Sequence, residues 1–473
     1  MYEFLLLASL VVFLGVSLAY VRHPAASLAH PASFYLIFHG FVFVLRPLVA
    51  IWYEFEFVYR LYDFQPSMAD KITVIIGANL AMIVFVVASL LVAPRPVPRP
   101  DKHALGMARR KLFWPFMIAT GLLTPLALAS QIQNWIIRAN HFDTMVRDPA
   151  TGSSVNTANI GWFTDAALMM APLAVMMVWL SRYRWWGWVY LAGFAFAQAG
   201  SGTRHALIFA VAAIAISWLM ERGRKWFDWR TVALALMAAI AFNQIVIDRG
   251  GAVRQFILDD AEIEFIDEDE LSPLEHMDFA NLEYFEYLVY AVPQRTGTYD
   301  YFAHVLQIFT EPVPRVLWED KPVGSPIKRF SLWDFGEPIG MSASVPGVGW
   351  MSLGYSGIVI QTVIFAAIFG GFYRYLLHNR GSPVARLGYA LVIATAILGF
   401  RDGTLLTLLR VFPFYFGPLV VALLLARFAF GPYSRAALVP QADAGRSFLE
   451  QTPAERRKAL AARSLDGPAR RGK

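Results

Sequence analysis

The chain has 473 residues, of which 57% are hydrophobic and only 16% charged, where an ordinary soluble domain carries about 25% charged residues. That much apolar surface exceeds what one water-soluble core can hide, so lipid is the expected solvent and a purely water-soluble globular protein is excluded. The net charge of +6 would suit nucleic acid, but the basic residues sit between apolar stretches, where they orient a membrane protein, and no nucleic-acid partner is expected.

In chain order, apolar windows long enough to cross roughly 30 Å of hydrocarbon fall at residues 2–20, 32–52, 72–93, 112–131, 160–180, 232–247, 348–372 and 408–428. Three shorter windows lie at 186–199, 205–220 and 387–400. The sequence therefore predicts an all-α polytopic membrane bundle of eleven or so transmembrane helices. The first window has no Lys or Arg before it, and Arg22 follows it. A secretory signal needs a basic region ahead of its apolar stretch, so this segment reads as a retained span. The expected divisions are eight spans over 1–247, a large loop over 248–347, three spans over 348–428 and a basic tail over 429–473. Cys is absent, which removes disulfides and thiolate metal sites.

Orientation follows from the linkers. The stretch Pro94–Lys111, the turn with Arg182 and Arg184, the linker Glu221–Arg230, the loop with Arg374, Arg380 and Arg386, and the tail from Arg427 are all basic. All are odd-numbered linkers or the C-terminal tail, so one parity satisfies the positive-inside rule. This places the N-terminus outside and the C-terminus in the cytoplasm. In the tail, Thr452-Pro453-Ala454-Glu455 reads as the start of a short capped helix, solvated against anionic lipid.

The 248–347 loop far exceeds an ordinary connection, and loops of that length are generally functional or disordered. It opens with the acidic run Asp259–Glu270, continues through an aromatic amphipathic stretch at Leu282–Val292, and then becomes rich in Pro, Trp and Gly. Its many aromatic residues favour order.

Charges within or at the ends of spans are the most informative feature, because each costs at least roughly 2.5–3.5 kcal/mol at mid-bilayer. Arg46, Glu54, Asp165, Gln198, Arg204, Asn243, Gln244, Arg401, Asp402 and Arg410 all fall in the outer leaflet or its turns. The outer side also holds Arg249, Arg254, Arg295, Arg315, Lys321, Lys328 and Arg329, against the orientation rule. Balancing the acidic run would explain the loop arginines but not Arg204, Arg401 or Arg410. Arginine's planar fork grips phosphate bidentately, so a lipid-linked phosphate is the natural ligand.

No P-loop, dinucleotide fingerprint, HExxH or Gly-x-Ser-x-Gly motif is present. No cofactor or metal is therefore expected, and the acidic run reads as a solvated face. Glu54-x-Glu56 is short and common, and His141 and His276 carry little signal.

The segment Pro312-Val-Pro-Arg-Val-Leu-Trp-Glu-Asp-Lys-Pro322 resembles a stretch in the large periplasmic loop of bacterial O-antigen and exopolysaccharide repeat-unit polymerases. Ser344–Gly357 resembles the glycine-marked start of their next span, and Gly200-Ser-Gly-Thr-Arg204 their short Gly/Ser-Arg turn. The resemblance implies a multi-pass inner-membrane glycosyltransferase acting on undecaprenyl-pyrophosphate-linked oligosaccharide, with a chain-length regulator protein as partner. Related O-antigen ligases move a finished chain to another acceptor. It also implies outer-facing cations on the pyrophosphate, here Arg204, Arg315, Lys321, Arg401 and Arg410. Family members often place a His or Glu shortly before the span's glycines, where this chain has Val348, Gly349 and Trp350. The general base must then come from Asp320, Glu319, Glu311 or His304, with Asp320 favoured by its place in the stretch and His304 next. Trp318, Trp333 and Tyr299 offer flat faces for sugar rings.

Overall fold

The computed structural model of the protein describes residues 2–139, 145–147, 154–156, 161–201, 205–233, 237, 274–275, 279–310, 329–336, 341–379 and 381–430. Among these residues, nine helices are long and apolar enough to cross a membrane: Tyr2–Arg22, Pro31–Tyr53, Met68–Val92, Phe113–Ile136, Phe163–Leu180, His205–Arg222, Ser344–His378, Pro383–Asp402 and Leu405–Phe428. Each coincides with an expected window. The window at 186–199 is the helix Trp185–Ser201, whose 17 residues make it one shorter than the shortest of the nine. The window at 232–247 lies largely outside the described residues. The protein is a polytopic helical membrane bundle. Its described non-helical pairing is slight: Met145–Arg147 runs antiparallel to Ser154–Asn156, with Val146 opposite Val155.

Local chemistry sets the helix boundaries. Ser67 and Asp70 form a capping box at the start of Met68–Val92, satisfying two otherwise orphaned backbone donors. The Asp101 side chain accepts from the His103 and Ala104 amides at the head of Lys102–Lys111. Within Pro31–Tyr53 the helix widens to a π-type segment over Gly40–Leu45. Pro47 follows; it lacks an N–H and its ring crowds the carbonyl four residues back, and a wider turn accommodates both.

The central packing pair is Met68–Val92 with the later part of Ser344–His378. Gly77 faces Ile358, and further along Gly370 faces Val92, so the two helices run in the same direction, as two odd-numbered spans must. On the rim, Phe4, Leu7, Val11, Leu14 and Leu18 stay exposed, which suits contact with lipid tails.

The basic linkers meet at one end of the bundle. Leu28 N–H donates to Lys225 O, Tyr389 OH to Ala29 O and Tyr373 OH to Arg95 O. Arg386 reaches the carbonyls of Pro98 and Met220, and Arg109 pairs with Glu221 at 2.8 Å. At the other end, Gln294 donates to Asp70 and Gln361 to the Gly403 carbonyl. A second hydrophobic core forms here, from Val58, Tyr62, Phe64, Tyr284, Tyr287, Leu288, Phe330, Leu332, Val348 and Met351. It joins parts of the large loop to the second linker, between Pro31–Tyr53 and Met68–Val92, and to the start of Ser344–His378.

Candidate functional site

The expected span at 348–372 is not one helix. Ser344–His378 breaks at Leu353–Gly354, where Gly354 takes φ 57 and ψ −139, a combination open to glycine alone. A Cβ on Gly349 would fall 2.5 Å from Ile358 Cα. Those positions would stand about 13 Å apart along a straight helix, so Ser344–Ser352 doubles back as a short helix against the span that follows.

That short helix has a different partner at each end. At its start, a Cβ on Gly403 would lie 2.0 Å from the Ser344 carbonyl oxygen, so the Arg401–Gly403 turn rests on it. The Asn281 side-chain amide donates to Ser342 O at 2.8 Å and to Arg401 O at 2.9 Å, fixing the same corner. At its end, Asp300 N–H donates to Met351 O (2.7 Å) and Tyr301 N–H to Ser352 O (2.9 Å). Nine helical residues cover about 12 Å, which sets the scale between the two corners.

Asp300 carries the chemistry of the second corner. Its Oδ2 lies 2.6 Å from His304 Nδ1 and accepts from the His304 amide at 3.1 Å. Arg329 forms an ion pair with the other carboxylate oxygen. Both Asp300 and His304 are buried. A carboxylate on Nδ1 keeps the proton on that nitrogen and leaves Nε2 with a lone pair. Nε2 is buried and has no hydrogen-bond partner among the described residues. Burial pushes the imidazole down to about 4. The ring is therefore neutral at ordinary pH, as a general base must be.

A second buried cluster lies at the same end of the bundle. Arg46, on the turn that leaves the π segment, is wholly buried. It forms an ion pair with Glu283, donates to Leu274 O at 3.0 Å and sits over the Phe55 ring. Glu283 lies on the helix Asn281–Ala291, and one turn along it Glu286 accepts from Tyr59 OH at 2.6 Å. Burial pushes the Glu286 carboxyl up to about 7, against the opposing pull of Lys71, the Tyr59 hydrogen bond and Arg46 and with help from Glu283.

Of the residues singled out from sequence, His304 and Tyr299 come to the tip of the hairpin. The Tyr299 hydroxyl lies 3.1 Å from where a Cβ on Gly354 would stand. Arg401 lies at the other corner, next to Asp402, whose Oδ2 accepts from Thr407 Oγ1 at 3.1 Å. Trp333 is partly buried in the short turn Leu332–Asp334, four residues from Arg329. Arg410 is turned aside: its Nε pairs with Asp165 at 2.9 Å, and its side chain is 58% exposed. Arg204, Arg315, Trp318, Asp320 and Lys321 lie outside the described residues, as do Glu311 and Glu319. Among the described residues no group of three His, Asp or Glu side chains could hold a metal ion.

Asp300, Glu283 and Glu286 belong to these buried clusters but were not singled out from sequence, whereas Arg329 was named there among the outer cations. One signal was present: Glu283 and Glu286 punctuate an otherwise apolar, aromatic stretch, whereas Asp300 and His304 are joined through Tyr301 and Phe302, both at positive φ, and not by the helical turn that their spacing would suggest. No protein-family model, curated protein or solved structure matches this chain.

Proposed function

We propose that the protein is a membrane glycosyltransferase that polymerises undecaprenyl-pyrophosphate-linked oligosaccharide repeats on the outer face of a bacterial inner membrane. The observation that carries this reading is His304, held by Asp300 with Nε2 unpartnered, at the same end of the bundle as Arg401. The resemblance of Pro312–Pro322 to repeat-unit polymerases, and the basic linkers at the opposite end, support the same assignment.

The chemistry is a displacement at an anomeric carbon. The acceptor hydroxyl gives its proton to His304 Nε2 as its oxygen bonds to that carbon. The bond to the pyrophosphate oxygen breaks, and the electron pair leaves with the lipid pyrophosphate. Arg401 meets the developing charge, with Arg204, Arg315 and Lys321 as further cations. Asp300 and Arg329 hold the base in its tautomer. No cofactor or metal is required in this scheme.

The test uses purified protein in lipid with undecaprenyl-linked repeats and no nucleotide sugar, ATP or added divalent metal. Products spaced by one repeat unit support polymerisation. A single transfer to a foreign acceptor would instead identify a ligase. Substrate movement across sealed vesicles without bond formation would identify a transporter, and a requirement for nucleotide sugar would sink the mechanism.

A further inference from the structure

The basic end of the bundle contains a cavity of about 480 Å³ lined by Arg99, Pro100, Lys102, Glu221, Arg222, Gly223 and Arg224. We infer that this cavity is a binding site for a phosphate-bearing anion, supplied by the headgroup of an acidic phospholipid.

Its walls are fixed from below. Arg386, buried, donates through Nη1 to Met220 O at 3.3 Å and through Nη2 to Pro98 O at 3.0 Å. One side chain thus ties the 98–100 segment to the end of the helix His205–Arg222. Gly223, at φ +63, brings the chain within 3.5 Å of Pro100 Cδ, measured from where a Cβ would stand.

The charges favour an anion. Glu221 is the carboxylate in the lining, and Arg109 already engages it from the protein side at 2.8 Å. Arg99, Lys102, Arg222 and Arg224 form no salt bridge with any described carboxylate. Arg222 and Arg224 stand over the Trp218 ring, with Cζ 4.6 and 5.9 Å from its centroid. Stacking orders the guanidinium planes while leaving their edge N–H donors for a ligand.

Position argues for lipid as the source. The cavity lies where a membrane-spanning helix ends, beside Trp226 and Trp229, which are 39% and 75% exposed. Exposed indoles next to clustered Lys and Arg mark the headgroup layer. The site is at the opposite end of the bundle from His304, so it does not depend on the glycosyltransferase reading.

The full chain in neutral detergent is titrated by calorimetry with short-chain phosphatidylglycerol, phosphatidylcholine or inorganic phosphate. The comparison is between wild type, Arg222→Gln/Arg224→Gln, and the control Lys111→Gln/Arg374→Gln, which removes two exposed cations elsewhere in the basic linkers. Binding of phosphatidylglycerol over phosphatidylcholine, weakened about tenfold or more in the cavity variant only, is the expected result. Inorganic phosphate binding that is lost in the same variant, without lipid binding, would confirm the anion site and assign it a soluble ligand. Equal losses in both double variants, or no loss in either, would overturn the proposal. Exposed positions are substituted while Arg109, Glu221 and Arg386 are left intact, so unfolding does not confuse the readout.

Discussion

The carbonyl oxygen of Gly349 occupies the place that a side chain on Gly357 would need: a Cβ built there falls 2.0 Å away. Backbone rests on backbone, and this contact lets Ser344–Ser352 fold flat against the following span and present its two ends to the Arg401 and Asp300 corners.

Gly357→Ala should therefore destabilise the protein by about 1–3 kcal/mol, because a backbone atom cannot step aside as a flexible side chain does. Gly371→Ala is the contrast. Nothing lies within 4 Å of its missing Cβ, so there the gain in helix propensity should leave stability unchanged or raised by up to about 1 kcal/mol. Thermal unfolding in detergent compares the two, and equal shifts would refute the hairpin contact.

His304→Ala and Asp300→Asn should each lower polymerisation about a hundredfold to ten-thousandfold at near-normal protein level. The asparagine variant keeps the shape of Asp300 but no longer requires a proton on Nδ1, so Nε2 loses its fixed role. In wild type the rate should be flat from pH 6 to 8, since burial holds His304 at about 4. A steep rise in rate across that range would assign the base to another group.

Stability should carry two opposed pH dependences. His304 falls from 6.5 to about 4 on folding, so the unfolded chain binds more protons between those values. Its contribution is present above 6.5 and lost as pH falls through about 4. Glu286 rises from 4.5 to about 7, so the folded chain binds more protons there. Its contribution is full below 4.5 and lost as pH rises through about 7. Glu286→Gln removes only the second. The variant's Tm relative to wild type should climb as pH is raised from 4.5 to 7. A constant difference would show that Glu286 does not titrate in this window.

Arg401→Lys should impair polymer formation while protein accumulates normally, because lysine keeps the charge and loses the bidentate fork. Arg204→Lys should behave the same way. Full polymer production by both variants would reduce these arginines to orienting or packing roles.

Alkaline phosphatase fused near Pro273 should be active, and the same reporter after Pro440 should be silent. The reverse would place the His304 end of the bundle in the cytoplasm and remove the lipid-linked substrate from its reach.

The membrane class, the helix windows and the parity of the basic linkers were legible in sequence, because each rests on local quantities: apolar length against bilayer thickness, and charge counted linker by linker. Spans with strong apolar runs, such as Met68–Val92, emerged within a few residues of their expected limits. Candidate site residues were legible by type, as charges where hydrocarbon should exclude them. What sequence left open is which charges serve each other. Arg46 and Glu283 are 237 residues apart, and no local pattern pairs them. Arg410 looked equivalent to Arg401 until packing set Asp165 beside it. The break at Leu353–Gly354 also escaped the sequence reading, in which the apolar window 348–372 runs straight across it. Only the tertiary structure decided it, because Gly349 and Gly357 reveal their purpose once the two backbones touch. His304 follows the same logic: residue type made it a candidate, while the buried Asp300 carboxylate orients its ring and burial keeps it neutral.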